Sequence, residues 1–412
     1  MARTSAASAY AKLTPNQARL LLAGLAAALV ISIGVTLSPL RSTRLGKPSQ
    51  GEGDTGLYRA EIARVHAGEA YYQAAAKELV ARGYPTQSVF NWRTPLPVWA
   101  LGKLPDPALG KAILILLALA LVVLGFEWMS REEDSRVGQA RARERRPTNS
   151  ADRWWAGDRH GGLDPPYDWR TANRFRLFFS APLFVALLLA GTFFECTLDD
   201  QYVSAELWAG ILLGLSMAAY GLDRPYLAAA LGVAALFVRE LSLPYCLLAA
   251  ALAWRQDRRR ELLGWLAGLA AWALFFGLHA LAVRNWTPAG ALAHHEGWIQ
   301  FGGLPFVIST MQMQTCLVLL PQWVTAIYFV AVLLGLAGWQ GKMGPRLGLT
   351  VSLYVAAFSV VGHDFNQYWG ELIVPLACFG AARSVGALRD LFLAAAGRPA
   401  CGVGPVANLS TR

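Results

Sequence analysis

The chain has 412 residues, 55% of them hydrophobic and 16% charged, where soluble proteins carry about a quarter charged residues. The apolar residues gather in runs long enough for bilayer-spanning helices, which excludes a soluble globular enzyme as well as a disordered or fibrous chain. The net charge of +10 (37 basic against 27 acidic residues) comes from clusters between those runs; this is a membrane-orientation pattern, and no basic stripe interleaved with aromatics points to nucleic acid.

Ten membrane segments are expected, at roughly 18–40, 110–129, 174–194, 203–221, 225–238, 242–254, 262–283, 318–340, 346–362 and 369–385. The fold class is therefore all-α and polytopic. Residues 1–17 form a basic tail, 18–397 the membrane domain and 398–412 a disordered tail. The first run exceeds the usual core of a cleaved signal and reads as a retained helix. Basic segments lie in the tail, at 131–176, at Arg224, in WRQDRRR at 254–260, at 342–346 and at 383–389. Alternating ten segments from a cytoplasmic N-terminus puts all of these on the cytoplasmic side, and both termini with them. The protein is expected in the plasma (inner) membrane, because its Ala-, Arg- and Gly-rich composition suggests a bacterium.

The parity settles one ambiguity. Residues 225–254 could be one tilted helix of about 45 Å, which would put the WRQDRRR cluster outside. Two short helices turning back at Arg239-Glu240-Leu241-Ser242 keep it inside. Each is about 20 Å long, too short for a hydrocarbon core of about 30 Å. The tip then lies within the bundle, where irregular backbone must be buried or line a wet cavity.

The external loop at 41–109 has helical chemistry. Asp54 stands where an N-cap would stand, Gly68 divides the stretch into two amphipathic helices, and Gly83 with Tyr84-Pro85 stops the second. Tyr71, Ala75 and Leu79 share one face. The polar stretch at 131–173 reads as a flexible cytoplasmic insertion. Cys196, Cys246, Cys316, Cys378 and Cys401 are scattered and form no disulfide framework or metal motif. His294-His295-Glu296 lacks the spacing of a helical zinc site.

A first membrane helix followed by a long external loop with an acid and two surface helices resembles the polytopic glycosyltransferases of the C-type fold (GT-C). The patterns Gly53-Asp54-x-x-Leu57-Tyr58 and Gly68-x-x-Tyr71-Tyr72 look like the family-87 branch, which includes polyprenyl-phosphate-mannose-dependent mannosyltransferases. Arg239-Glu240-x-x-x-Pro244 and the turn at 363–369 extend the likeness. Related enzymes commonly carry lysine at the hairpin position, where this chain has Arg239.

The resemblance implies an inverting hexosyltransferase that moves a sugar from a polyprenyl-phosphate donor to a glycan or glycolipid acceptor on the external face. It implies Asp54 as general base, taking the acceptor's proton, and no metal or other cofactor. Arg239 would meet the donor phosphate and Glu240 would orient it or bind the sugar; charges inside an apolar stretch are functional by default. Further candidates for substrate contact are Glu69, Tyr72, Arg93, His363, Asp364, Gln367 and Tyr368, with Glu69 and Asp364 as alternative bases. Competing readings stand beside these. Asp54 could be only a cap, Arg239-Glu240 only a structural ion pair, and Asp199-Asp200 only solvated acids. At the level of the whole chain the rivals are a transporter or flippase, suited by broken helices, and a non-catalytic subunit of an envelope assembly.

Overall fold

The computed structural model describes residues 8–38, 53–144, 180–198, 200–293 and 297–398. Expectations for His294-His295-Glu296, Asp199, most of the 131–173 insertion and the tail after 398 fall outside these residues. The described chain is all-helical; its one β contact is an isolated bridge between Ile299 and Val361.

Each of the ten expected segments overlaps a helix among the described residues. In chain order the helices are α1 (Pro15–Leu37), α2 (Gly53–His66), α3 (Tyr71–Ala81), α4 (Pro95–Gly102), α5 (Leu109–Glu144), α6 (Ala181–Glu195), α7 (Ala205–Gly221), α8 (Pro225–Val238), α9 (Leu243–Arg255), α10 (Arg259–Trp286), α11 (Gly303–Met311), α12 (Gln322–Gly338), α13 (Met343–Val360) and α14 (Val374–Ala395). Four are long and apolar enough to cross a membrane: α1, α5 over Leu109–Ser135, α10 and α13. A fifth joins α14 to the 3₁₀ segment Asp364–Leu372, bent from it by 71°. Leucines on α5 and α10, among them Leu116, Leu263, Leu274 and Leu281, are more exposed than buried or nearly so. Apolar surface on that scale marks a membrane-embedded protein.

Local chemistry explains the boundaries. Thr14 and Gln17 close a capping box at the start of α1, with Pro15 at its first position. Gly53, at φ +59°, turns the chain into α2. Asp54 thus lies in the first turn of α2 and is not its N-cap. Gly68 at φ +99° separates α2 from α3, and Gly83 at φ +71° ends α3 as expected. Tyr71, Ala75 and Leu79 are all buried on one face.

Two further expectations need correction. α5 continues to Glu144, so the insertion begins as helix; REEDSR and QARARE are good helix formers. The last segment does not begin as a helix at 369. Residues 364–372 form a 3₁₀ turn instead, and within it Gly370 sits against the backbone of Thr310, where a Cβ would lie 1.8 Å from its carbonyl oxygen.

The short hairpin is observed. A straight helix would hold Gly232 and Cys246 about 20 Å apart, but Cys246 Sγ lies 3.4 Å from the Gly232 carbonyl. Ser216 Oγ ties the two arms together, 2.6 Å from both the Ala228 carbonyl and the Tyr245 hydroxyl. Gly232 is required there, since a Cβ would meet the Trp265 ring at 2.4 Å. α12 and α14 pack as closely, with Gly335 against the Gly380 carbonyl.

α7 carries a buried charge cluster at each end. Near its C-terminus, Tyr220 donates to Glu261 (2.5 Å), and Glu261 pairs with Arg258 (3.2 Å) and Arg346 (3.7 Å). The Arg346 guanidinium lies 3.7 Å from the Tyr220 ring centre. At its N-terminus sits Glu206, 14 residues or about 21 Å away. The basic 255–260 loop therefore belongs to the end opposite Asp54.

Candidate functional site

Five parts of the chain converge on Glu206. α2 brings Asp54 and Tyr58. The segment after α3 brings Tyr84 and Arg93. α7 brings Glu206, the hairpin tip Arg239 and Glu240, and the bent turn Tyr368 and Asn366. Thr94 Oγ1 docks the second part on the tip by donating to the Val238 carbonyl at 3.1 Å. Tyr71 holds the backbone at the same place, donating to the Arg93 carbonyl at 2.5 Å. Ser204 caps α7 and also donates to Glu371 of the turn at 2.5 Å.

The Arg239 guanidinium is buried, that of Arg93 nearly so, and the two share one carboxylate. Glu206 Oε1 lies 2.9 Å from Arg239 and 3.2 Å from Arg93. Arg239 also pairs with Glu240. Arg93 donates to the Tyr58 hydroxyl and, at 3.1 Å, to the Tyr368 hydroxyl. It lies over both rings, with centroids 5.2 and 5.9 Å away. Asn366 donates to the Tyr368 hydroxyl at 3.2 Å, which fixes that ring. Two atoms have no hydrogen-bond partner despite full burial: Glu206 Oε1 and Arg239 Nε.

Asp54 is the open member of the cluster, with its side chain 38% exposed. Tyr84 donates to its Oδ1 at 2.8 Å, and Arg93 stands 3.8 Å from Oδ2. Burial, reinforced by the neighbouring Asp54, holds the Tyr84 phenol above its ordinary value, so it remains a donor. A half-exposed carboxylate, oriented by a phenol and a guanidinium, borders two cations, one buried and one nearly so. That arrangement can accept a proton from one ligand and hold the negative charge of another.

Of the residues singled out in the sequence, the structure brings together Asp54, Arg93, Arg239, Glu240 and Tyr368. Tyr72 stands at the flank, bonded to His279 Nδ1 of α10 at 3.0 Å. Four others lie apart. Glu69 is at the solvated corner between α2 and α3, paired with Lys77 (2.9 Å) and Arg64 (3.1 Å). Those cations hold its carboxyl below the usual range. His363 is buried against Phe365 and Trp298. Asp364 and Gln367 are exposed, away from the Glu206 cluster's hydrogen bonds and ion pairs. The reason is the 3₁₀ repeat of three residues per turn. It buries Asn366, Trp369 and Leu372 on one side and leaves 364 and 367 on the other.

Three contributors were missed: Glu206, Tyr58 and Tyr84. Glu206 had a signal, as the one acid within the apolar run 203–221. An unpaired Arg239 at membrane depth asks for such a partner. A fourth, Glu61, lies beneath the site on α2 at 2% exposure, with Oε2 unpartnered. Burial pushes its carboxyl up to about 8, against the pull of Arg93.

Comparison with protein-family models, with characterised proteins and with solved structures finds no match.

Proposed function

We propose that the protein is a polytopic membrane glycosyltransferase of the C-type fold, using a polyprenyl-phosphate-linked hexose as donor. The observation that carries this reading is the half-exposed Asp54 carboxylate beside the nearly buried Arg93 and the buried Arg239 guanidiniums. On this reading all ten segments lie in the membrane, two of them as the short hairpin whose tip stops within it, the termini are cytoplasmic, and Asp54 faces the external side of the inner membrane. The family-87 likeness makes mannose the first sugar to try, with a glycan or glycolipid as acceptor.

The chemistry is a single displacement. The acceptor hydroxyl oxygen bonds to the anomeric carbon as the bond from that carbon to the phosphate oxygen breaks. Asp54 takes the hydroxyl proton, and the electron pair leaves with the polyprenyl phosphate. The configuration inverts. Arg93 and Arg239 stabilise the charge on the leaving phosphate in a site of low dielectric. Glu240 orients Arg239, and Tyr84 orients Asp54.

A second reading, a transporter or flippase of a lipid-linked substrate, has support from the broken hairpin and the bent terminal span. Sugar transfer separates the two. Purified protein is given a panel of short-chain polyprenyl-phosphate sugars and glycolipid acceptors, with wild type beside Asp54→Asn. Transfer by wild type and its loss in the folded variant support the transferase. Equal transfer by both removes Asp54 as base. No transfer across the panel, together with movement of the lipid between leaflets, favours the flippase.

A further inference from the structure

Three carboxylates, Asp54, Glu206 and Glu240, surround two guanidiniums, Arg93 and Arg239. With every group ionised the cluster carries one excess negative charge and repels a phosphate. For an anion to enter, one carboxylate must give up its place. Glu240 is tied to Arg239 alone and Asp54 stands 3.8 Å from Arg93 alone, while Glu206 engages both cations.

Its geometry is that of a stand-in. One oxygen, Oε1, is shared between both guanidiniums, at 2.9 Å from Arg239 and 3.2 Å from Arg93. Guanidinium and carboxylate settle best as two parallel bonds, which Glu206 offers to neither arginine. Arg239 Nε, on a side chain 4% exposed, is left without an acceptor. A phosphate monoester has enough oxygens to meet both forks and that Nε. The N-terminal end of α7, where Glu206 is the second residue, favours negative charge at this point.

We propose that Glu206 is a resident counter-anion. It holds the place between Arg93 and Arg239 that the phosphate of a lipid monophosphate takes, and it releases both guanidiniums when that phosphate enters. The proposal rests on the anion-binding half of the functional reading and not on the transfer step. Glu206 is thus a positioning residue that competes with the ligand. Removing its charge tightens binding, whereas removing a merely structural residue weakens it.

The test uses the purified full-length protein in detergent, with farnesyl phosphate as probe and farnesol and inorganic phosphate as controls. Dissociation constants and ligand-induced shifts of the unfolding midpoint are measured for wild type, Glu206→Gln, Glu206→Asp, Arg239→Gln and Arg93→Gln. Glu206→Gln is expected to bind farnesyl phosphate about tenfold tighter than wild type, and its midpoint to rise more on binding, because the phosphate replaces the missing anion. Glu206→Asp, withdrawn by one methylene, follows in the same direction and carries the comparison should the glutamine variant not fold. Either arginine variant weakens binding about tenfold or more, and farnesol discriminates among none of them.

Weakened binding in the arginine variants, with no tightening in either Glu206 variant, overturns the proposal while leaving the anion site intact. Equal farnesyl phosphate binding by wild type and both arginine variants, or no binding at all, overturns both. Inorganic phosphate reproducing the whole series at similar affinity makes a free anion the ligand and overturns the lipid assignment.

Discussion

Asp54 and Glu61 stand two turns apart on α2, and their surroundings give them different properties. Asp54 is open and oriented, so Asp54→Asn is expected to lower sugar transfer by about 10² to 10⁴, the usual worth of a general base; its unfolding midpoint should match wild type, which a parallel melt checks. Glu61 is shut away with an unpartnered oxygen and a carboxyl pushed up to about 8. Between an ordinary value of 4.5 and about 8, the unfolded chain has lost a proton that the folded chain retains. Stability therefore falls as pH rises through this window. Glu61→Gln removes that loss. Its stability advantage should be near zero at pH 4 and grow to about 4 kcal/mol at pH 8. Denaturation from pH 4 to 8 measures it, and a pH-independent gap would show Glu61 to be ionised in the fold. Single residues also show what was legible in advance. Arg239 and Glu240 stood out because charge inside an apolar run is costly. Glu206 did not, because an acid two residues after Ser204 reads as an ordinary first-turn carboxylate. Its partner lies 33 positions later, a pairing that only the folded hairpin creates.

At the scale of elements, charge parity located the fold-back of α8 and α9, which hydropathy alone would have read as one helix. The glycines that separate α2 from α3 and end α3 were equally plain, since positive φ leaves few alternatives. The 3₁₀ turn at 364–372 was not, because it packs through the close approach of Gly370 to another helix, a tertiary contact with no local pattern. That turn decides why Tyr368 joins the site and Asp364 and Gln367 do not. The hairpin offers its own test. Gly232→Ala would place a methyl 2.4 Å from the Trp265 ring and 2.9 Å from the Tyr245 ring, both buried. Overpacking of this kind costs about 1–3 kcal/mol. The variant should melt earlier, and lipid phosphate binding should weaken with it, because Arg239 rides on the same tip. Unchanged binding in a destabilised variant would mean that the tip is held from the α7 side alone.

For the whole molecule, the two buried ion clusters at the ends of α7 fix which loops share a face. If the Asp54 end is external, a cysteine at Arg260, in a chain whose Cys316 and Cys401 are serine, should resist an impermeant maleimide in intact cells and react once they are permeabilised. Labelling from outside would invert the orientation. The fold also bears on its solvent. α8 and α9 have 14 and 13 residues, and they still present Tyr226, Leu227, Leu247 and Trp254 outward. Helices of about 20 Å beside α10, which is about 42 Å long, give the protein a notched hydrophobic girdle. Lipid must thin or tilt to follow the notch, at a cost that grows with acyl length. Since Arg239 stands at the bottom of that notch, acyl-chain length becomes a control on the site. Vesicles of short monounsaturated lipids should favour lipid-phosphate capture over those of long ones at equal charge and fluidity. The bilayer would then act as an effector, through its thickness alone.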